Sequence, residues 1–296
     1  MNDDLQKSSL QELLHFSRNS VRVSILRLDL IHPVVSGNKW FKLRYYLEEA
    51  LSQRKTMMAT FGGAYSNHIV ATAFASKAAG LKSTGYIRGE EAPQPGATLL
   101  HARAYGMETI FINRETFQNK EAIIEKFNHP ETYWIREGGY GITGARGAAD
   151  ILAFPGMEAY THILCATGTG TMMAGLIKAA APQQEIVGIS VLKNQFSLEN
   201  EVRHLLNEQE TQKKCSFIHG YHFGGYAKHP ETLIKFMNQA WQKWELPTDI
   251  VYTAKLVFAA KDLIAKNHFP PNSHLLLIHS GGLQGNLSLP PNTLPF

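Results

Sequence analysis

The chain has 296 residues, 44% hydrophobic and 18% charged, enough to bury a large core in one or two domains. Its 29 Lys+Arg and 25 Asp+Glu leave a net charge of +4 with no basic block, which speaks against a nucleic-acid partner. No run reaches membrane-spanning length, the start Met1-Asn2-Asp3-Asp4 lacks an apolar signal core, and the 2 cysteines, Cys165 and Cys215, read as parts of buried strands. A disulfide framework and a membrane partner are therefore not expected, and a reducing, cytoplasmic setting fits.

In chain order, residues 1 to 35 hold an amphipathic opening around Leu10, Leu13 and Leu14, then an alternating run, Val21 to Leu30, that reads as a strand. Val34 and Val35 end a short extended stretch. Ser36-Gly37-Asn38 supplies turn and N-cap chemistry for a helix whose apolar face is Trp40, Leu43, Tyr46 and Leu47. Lys39 falls in the first turn of that helix. The positive end of the helix dipole disfavours an ammonium there and leaves a better nucleophile, as an imine-forming lysine requires. A solvated lysine on an amphipathic helix would carry the same local signature.

Met57 to Phe61 reads as a strand running into Gly62-Gly63-Ala64-Tyr65-Ser66-Asn67-His68 and an Ala-rich helix through Ala79. Strands are expected at Ser83 to Ile87, Glu108 to Ile112 and Tyr133 to Arg136, with helices at Gly96 to Tyr105, Thr116 to Phe127 and Thr143 to Ala153. The second half opens on a buried strand, His162 to Ala166, a loop, Thr167 to Thr171, and a helix, Met172 to Ala180. Ile186 to Leu192 and a segment near Phe217 read as strands. Helices follow at Leu198 to Asn207, Thr232 to Trp244 and Leu256 to Ile264, and a last strand, Leu275 to Ile278, ends at His279-Ser280-Gly281-Gly282. This alternation predicts an α/β protein with parallel sheets covered on both faces.

Three Gly-rich junctions follow buried strands. The loop Thr167-Gly168-Thr169-Gly170-Thr171 offers unblocked amides, hydroxyls and a helix dipole, which suit a phosphate monoester. It lacks the Gly-Lys-Ser/Thr of a P-loop, and Met173 stands where a dinucleotide fingerprint needs its third glycine. A ligand-free strand-helix turn remains the alternative. At Gly62 to His68, the amides could take a carboxylate while Ser66 and Asn67 present a hydroxyl and an amide; as plain N-caps they would need no ligand. Ser280-Gly281-Gly282 sits at the carboxyl end of a strand, where ligands collect in open α/β sheets. Tyr226, after Gly224-Gly225, and Tyr252-Thr253 add polar groups, and no metal-ligand spacing stands out. A nucleophilic lysine, a phosphate cup and two further junctions are the parts needed to hold pyridoxal phosphate.

The ordered set Ser-Gly-Asn-Lys39, Gly-Gly-Ala-Tyr-Ser66-Asn67-His68, Thr-Gly-Thr-Gly-Thr171, Gly-Gly-Tyr226, Val-Tyr252-Thr253 and His-Ser280-Gly-Gly, running from about Ile31 to Gly282, closely resembles the 1-aminocyclopropane-1-carboxylate deaminases and D-cysteine desulfhydrases. The resemblance implies the tryptophan-synthase-β-like fold, fold type II of pyridoxal-phosphate enzymes, with two domains of mostly parallel sheet flanked by helices and a homodimeric assembly. A small domain would span residues 42 to 150, and a large cofactor-binding domain residues 1 to 41 and 151 to 296. It further implies that Lys39 holds the cofactor and moves the proton at the substrate's Cα, that Asn67 meets the ring's phenolic oxygen, and that Gly168 to Thr171 with Thr167 and Lys42 bind phosphate. Ser66 matches a residue at the substrate carboxylate, with Asn67 and His68 beside it, and Tyr226 and Tyr252 match active-site tyrosines. True deaminases resemble Val-Tyr-Glu and His-Leu-Gly-Gly where this chain has Thr253 and Ser280, and hydroxyls at both positions resemble the desulfhydrase branch. A carboxylate at the pyridine nitrogen keeps it protonated; a hydroxyl leaves it neutral, sufficient to expel a thiolate. His68 stands where the family often has glutamine. The expected activity is α,β-elimination on a small amino acid, D-cysteine first, with cyclopropane ring opening and non-catalytic cofactor binding as the alternatives.

Overall fold

Ile163, Leu164 and Cys165 are fully buried, as are Leu275 to Ile278, so these two runs must lie in the middle of a layer covered on both sides. The computed structural model describes residues 8 to 14, 20 to 32 and 35 to 296, so the acidic start and Val34 lie outside the described residues. In chain order, β1 (Leu10–Glu12) and β2 (Arg22–Arg27) precede α1 (Asn38–Ser52). Then come β3 (Met57–Gly63), α2 (Asn67–Ala78), β4 (Lys82–Arg88), α3 (Ala97–Ala104), β5 (Met107–Ile112), α4 (Lys120–Phe127), β6 (Thr132–Ile135) and α5 (Ile142–Ala149). The second half runs β7 (His162–Thr167), α6 (Thr171–Ala179), β8 (Glu185–Ser190), α7 (Leu198–Arg203), β9 (Cys215–Ile218), α8 (Glu231–Trp244), α9 (Thr253–Ala265) and β10 (His274–His279).

These strands form two sheets. One has six strands in the order β1-β2-β10-β7-β8-β9, the other four in the order β5-β4-β3-β6. Among the described residues, only the β1 to β2 pairing is antiparallel. Parallel strands return through helices, so the carboxyl ends of the parallel strands within each sheet open on one side. The loops after β3, β7 and β10 consequently converge on a single cleft between the sheets. Helices α5 and α6 lock the two halves together: a Cβ on Gly175 would lie 2.5 Å from the Ala145 carbonyl oxygen.

The sequence reading needs correction at several element ends. The amphipathic opening is a short edge strand, and the strand expected to reach Leu30 stops at Arg27, where a 3-10 turn begins. The helix expected over Thr116 to Phe127 is broken at Asn119, whose side chain accepts the Ala122 N–H at 3.1 Å and starts a new helix. Helix α7 stops at Arg203 rather than Asn207, and α9 starts at Thr253 rather than Leu256. Cys165 is buried in β7, but Cys215 is exposed, because β9 is the edge of its sheet. No helix among the described residues is long and apolar enough to cross a membrane.

Candidate active site

The start of α1 is clamped against the loop after β10. Gly37 adopts φ +69°, and a Cβ there would lie 1.8 Å from the Ser280 carbonyl oxygen, so only glycine fits. Its N–H reaches Leu28 O at 2.9 Å, and the Asn38 N–H reaches Ser280 O at 3.3 Å. The N-cap is therefore Gly37, without a side-chain cap, where the sequence suggested Ser36 to Asn38. This clamp presents Lys39, whose Nζ donates to Asn38 Oδ1 at 3.2 Å. Burial brings its pKa down to about 8, against the pull of the Asp249 carboxylate. Desolvation is thus the main cause of the lowered basicity. One turn on, Lys42 is 2% exposed, its Nζ donating to Gly138 O at 3.4 Å; burial and then the neighbouring Lys39 hold it well below the usual lysine range.

At the β3 to α2 junction, the Ser66 side chain accepts the His68 N–H at 3.3 Å and caps the helix. His68 is 1% exposed. The Thr60 hydroxyl donates to Ile135 O at 2.9 Å and so accepts from His68 Nε2 at 2.8 Å, which leaves His68 Nδ1 an unprotonated acceptor without a partner. Burial, then Lys39 and Lys42, hold the imidazole well below its ordinary range, hence neutral. Asn67 accepts at its Oδ1 from Gln284 Nε2 at 2.8 Å.

The loop after β7 leaves the backbone N–H groups of Gly168, Thr169 and Gly170 without a hydrogen-bond partner among the described residues. They sit at the start of α6, whose own first amides are also unpaired within the helix. The Gln195 side chain holds the Gly168 carbonyl, and the Thr169 and Thr171 hydroxyls bond each other at 3.1 Å. Donors gathered at a helix N-terminus suit a phosphate.

Asp249 anchors the start of α9. Fully buried, it accepts the N–H groups of Val251 and Tyr252 at 2.9 Å and of Thr253 at 2.8 Å. Burial raises its pKa despite those donors. Above it, burial and then Tyr226 push the Tyr252 phenol well above its usual range, so it stays protonated. The Tyr226 loop is tied down by Lys255, fully buried, whose Nζ donates to His222 O at 2.9 Å and Gly225 O at 2.7 Å.

Of the residues given a catalytic, cofactor or substrate role from the sequence, all line one cavity except Thr171 and Thr253, which are fully buried and off its lining. The Thr253 and Thr167 hydroxyls have no hydrogen-bond partner among the described residues. Sequence reasoning missed Gly138 among the lining residues, and Asp249, Gln284 and Lys255 behind them. Asp249 had a local signal, an Asp four positions before a helical residue; the others arrive from distant segments and had none.

A buried amine that sheds its proton easily, unpaired amides for a phosphate, an Asn67 amide and orphaned hydroxyls fit pyridoxal phosphate. On two mostly parallel sheets, they define a fold type II pyridoxal-phosphate enzyme. The model of the family described as pyridoxal-phosphate dependent enzyme matches residues 3–281, and the chain belongs to that family. It is 28% identical over 283 residues to a candidate 1-aminocyclopropane-1-carboxylate deaminase of Thermotoga maritima, covering 89% of each chain. It is 26% identical to the mitochondrial bifunctional D-cysteine desulfhydrase/1-aminocyclopropane-1-carboxylate deaminase of Arabidopsis thaliana, covering 90% of this chain and 74% of that one. A solved 1-aminocyclopropane-1-carboxylate deaminase homologue superposes with a TM-score of 0.81 at 26% identity, over 95% of this chain and 90% of that one.

Proposed function

We propose that the protein is a lyase that performs α,β-elimination on a small amino acid, D-cysteine first, giving pyruvate, hydrogen sulfide and ammonia. Bound pyridoxal phosphate supplies the electron sink for negative charge at the substrate's Cα. Lys39 would hold the cofactor through its aldehyde carbon and would take the substrate's Cα proton on an amine that burial keeps weakly basic, near pKa about 8. The amides of Gly168 to Gly170, with Thr167 and Lys42, hold the phosphate, and the buried Thr171 supports them through its bond to the Thr169 hydroxyl. Ser66 donates its hydroxyl to the substrate carboxylate, and His68, neutral and with Nδ1 as an acceptor, lines the cavity beside it without donating to it; Asn67 donates to the phenolic oxygen, and Ser280 faces the cofactor ring. Tyr252, kept protonated by burial and Tyr226, donates a hydrogen bond near the departing group, and Tyr226 closes the mouth. As the Cα–H bond breaks, its electron pair forms Cα=Cβ and HS⁻ leaves from Cβ; the released aminoacrylate hydrolyses to pyruvate and ammonia.

The observation that carries this reading is the buried, unpartnered Thr253 hydroxyl where a carboxylate would mark a deaminase. A neutral ring nitrogen serves a good leaving group such as thiolate better than an unactivated cyclopropane. Ring-opening deamination, with 2-oxobutanoate as product, is the second reading, supported by the likeness to the bifunctional plant enzyme. Non-catalytic cofactor binding would leave Ser66, Tyr226 and Tyr252 without work. The reading includes a large unit of residues 1 to 41 and 151 to 296, a small one of residues 42 to 150, a homodimer, and a reducing, cytoplasmic setting for free Cys165 and Cys215. Lys39→Ala tests the mechanism: turnover should vanish, together with the visible absorption of the lysine-linked cofactor, and a variant that still releases pyruvate at a substantial rate contradicts it.

A further inference from the structure

Gln284 lies on the short 3-10 helix Leu283–Ser288 that follows β10, outside every motif above. That helix is pinned to the turn before α9, where Asn286 accepts the Ile250 N–H at 3.1 Å and donates to Thr248 O at 2.9 Å. Gln284 is thereby held in place behind Asn67, and its Nε2 donates to Asn67 Oδ1 at 2.8 Å. A primary amide that accepts at its oxygen must present its NH₂ elsewhere. Asn67 Nδ2 points past Gly282, near enough that a Cβ there would lie 2.6 Å away, and Asn67 lines the cavity. In this arrangement the Asn67 amide turns its oxygen to Gln284 and its nitrogen toward Gly282 on the cavity lining.

We propose that Gln284 is a positioning residue that fixes Asn67 as a hydrogen-bond donor toward the phenolic oxygen of bound pyridoxal phosphate. The inference rests on the reading of Asn67 as the residue that meets that oxygen. A turned Asn67 would set its own carbonyl oxygen against the phenolate, replacing attraction with repulsion. The donor favours the phenolate form of the ring, so its orientation sets both the affinity for the cofactor and its absorption.

Gln284→Glu keeps the shape but can only accept, so Asn67 must turn its NH₂ toward the new carboxylate; Gln284→Leu removes the constraint without reversing it. Pyridoxal phosphate is titrated into cofactor-free wild type, both variants, Asn67→Ala and the Asn67→Ala/Gln284→Glu double variant, recording dissociation constant, visible band and cofactor-free melting temperature. The hydrogen-bond scale predicts binding weakened about threefold in Gln284→Leu and about tenfold or more in Gln284→Glu, with a displaced band in the latter. In the Asn67→Ala background the Gln284→Glu change should cost less than about twofold, because its route is gone. An unchanged band and affinity in Gln284→Glu overturns the proposal, as does an undiminished Gln284→Glu effect in the Asn67→Ala background, which would mark simple charge repulsion. Should Asn67→Ala bind and absorb as wild type, the reading of Asn67 falls and takes this inference with it.

Discussion

Lys39 shows how a residue can be legible while the cause of its chemistry is not. Its place in the first turn of a helix pointed to lowered basicity, yet burial is the leading cause, and burial depends on segments far away in the chain. A lysine near pKa about 8 when folded and about 10.4 when unfolded holds fewer protons folded than unfolded between those values. Folding therefore bears the full desolvation cost below pH 8, and stability recovers as pH rises toward 10.4. Cofactor-free Lys39→Met should accordingly be more stable than wild type at pH 7 by on the order of 1 kcal/mol, with the gap closing by about pH 10. Urea unfolding at the two pH values checks this, and a gap that widens with pH contradicts it. Thr253 gives the complementary case. Its buried hydroxyl has no partner to lose, so Thr253→Ala should change cofactor-free stability by less than about 1 kcal/mol while altering the bound cofactor's absorption. A large loss of cofactor-free stability would show that the hydroxyl serves the fold.

At the scale of elements, the three Gly-rich junctions and most strands could be read directly, because buried parallel strands appear as short apolar runs and their exits as glycines. Helix starts were read less well. Helix α9 begins earlier than its apolar pattern because Asp249 takes the amides of Val251, Tyr252 and Thr253. Gly37 looked like ordinary turn chemistry, whereas its requirement comes from the Ser280 carbonyl. Gly37→Ala must move the Lys39 helix or the Ser280 loop, and should cost about 3 kcal/mol or more with loss of cofactor binding. A melting temperature within a degree or two of wild type would refute that clamp. Lys255 belongs here too, since its ammonium holds the carbonyls that shape the Tyr226 loop. Lys255→Met strands those carbonyls and should destabilise by about 3 kcal/mol, with faster proteolytic cutting near Gly225. Wild-type cutting rates would mean the loop is held by other contacts.

For the whole molecule, alternating strands and helices gave parallel sheets, and the resemblance gave their arrangement as a pyridoxal-phosphate enzyme. What periodicity could not supply was the order β1-β2-β10-β7-β8-β9, which brings the strand ends before Lys39 and Ser280 together, nor the meeting of α5 with α6 across the two sheets. Long-range pairing of this kind leaves no local trace, and it is what turns scattered motifs into one cavity. On the proposed reading, choice of substrate turns on very few atoms, the Ser280 hydroxyl on the cavity lining and the buried Thr253 hydroxyl beyond it among them. The most direct measurement is 2-oxo acid release by the cofactor-loaded protein from D-cysteine and from 1-aminocyclopropane-1-carboxylate in separate reactions. Pyruvate from D-cysteine, with no 2-oxobutanoate from the cyclopropane, is the predicted result; 2-oxobutanoate without pyruvate would contradict the elimination reading and the weight placed on those two hydroxyls.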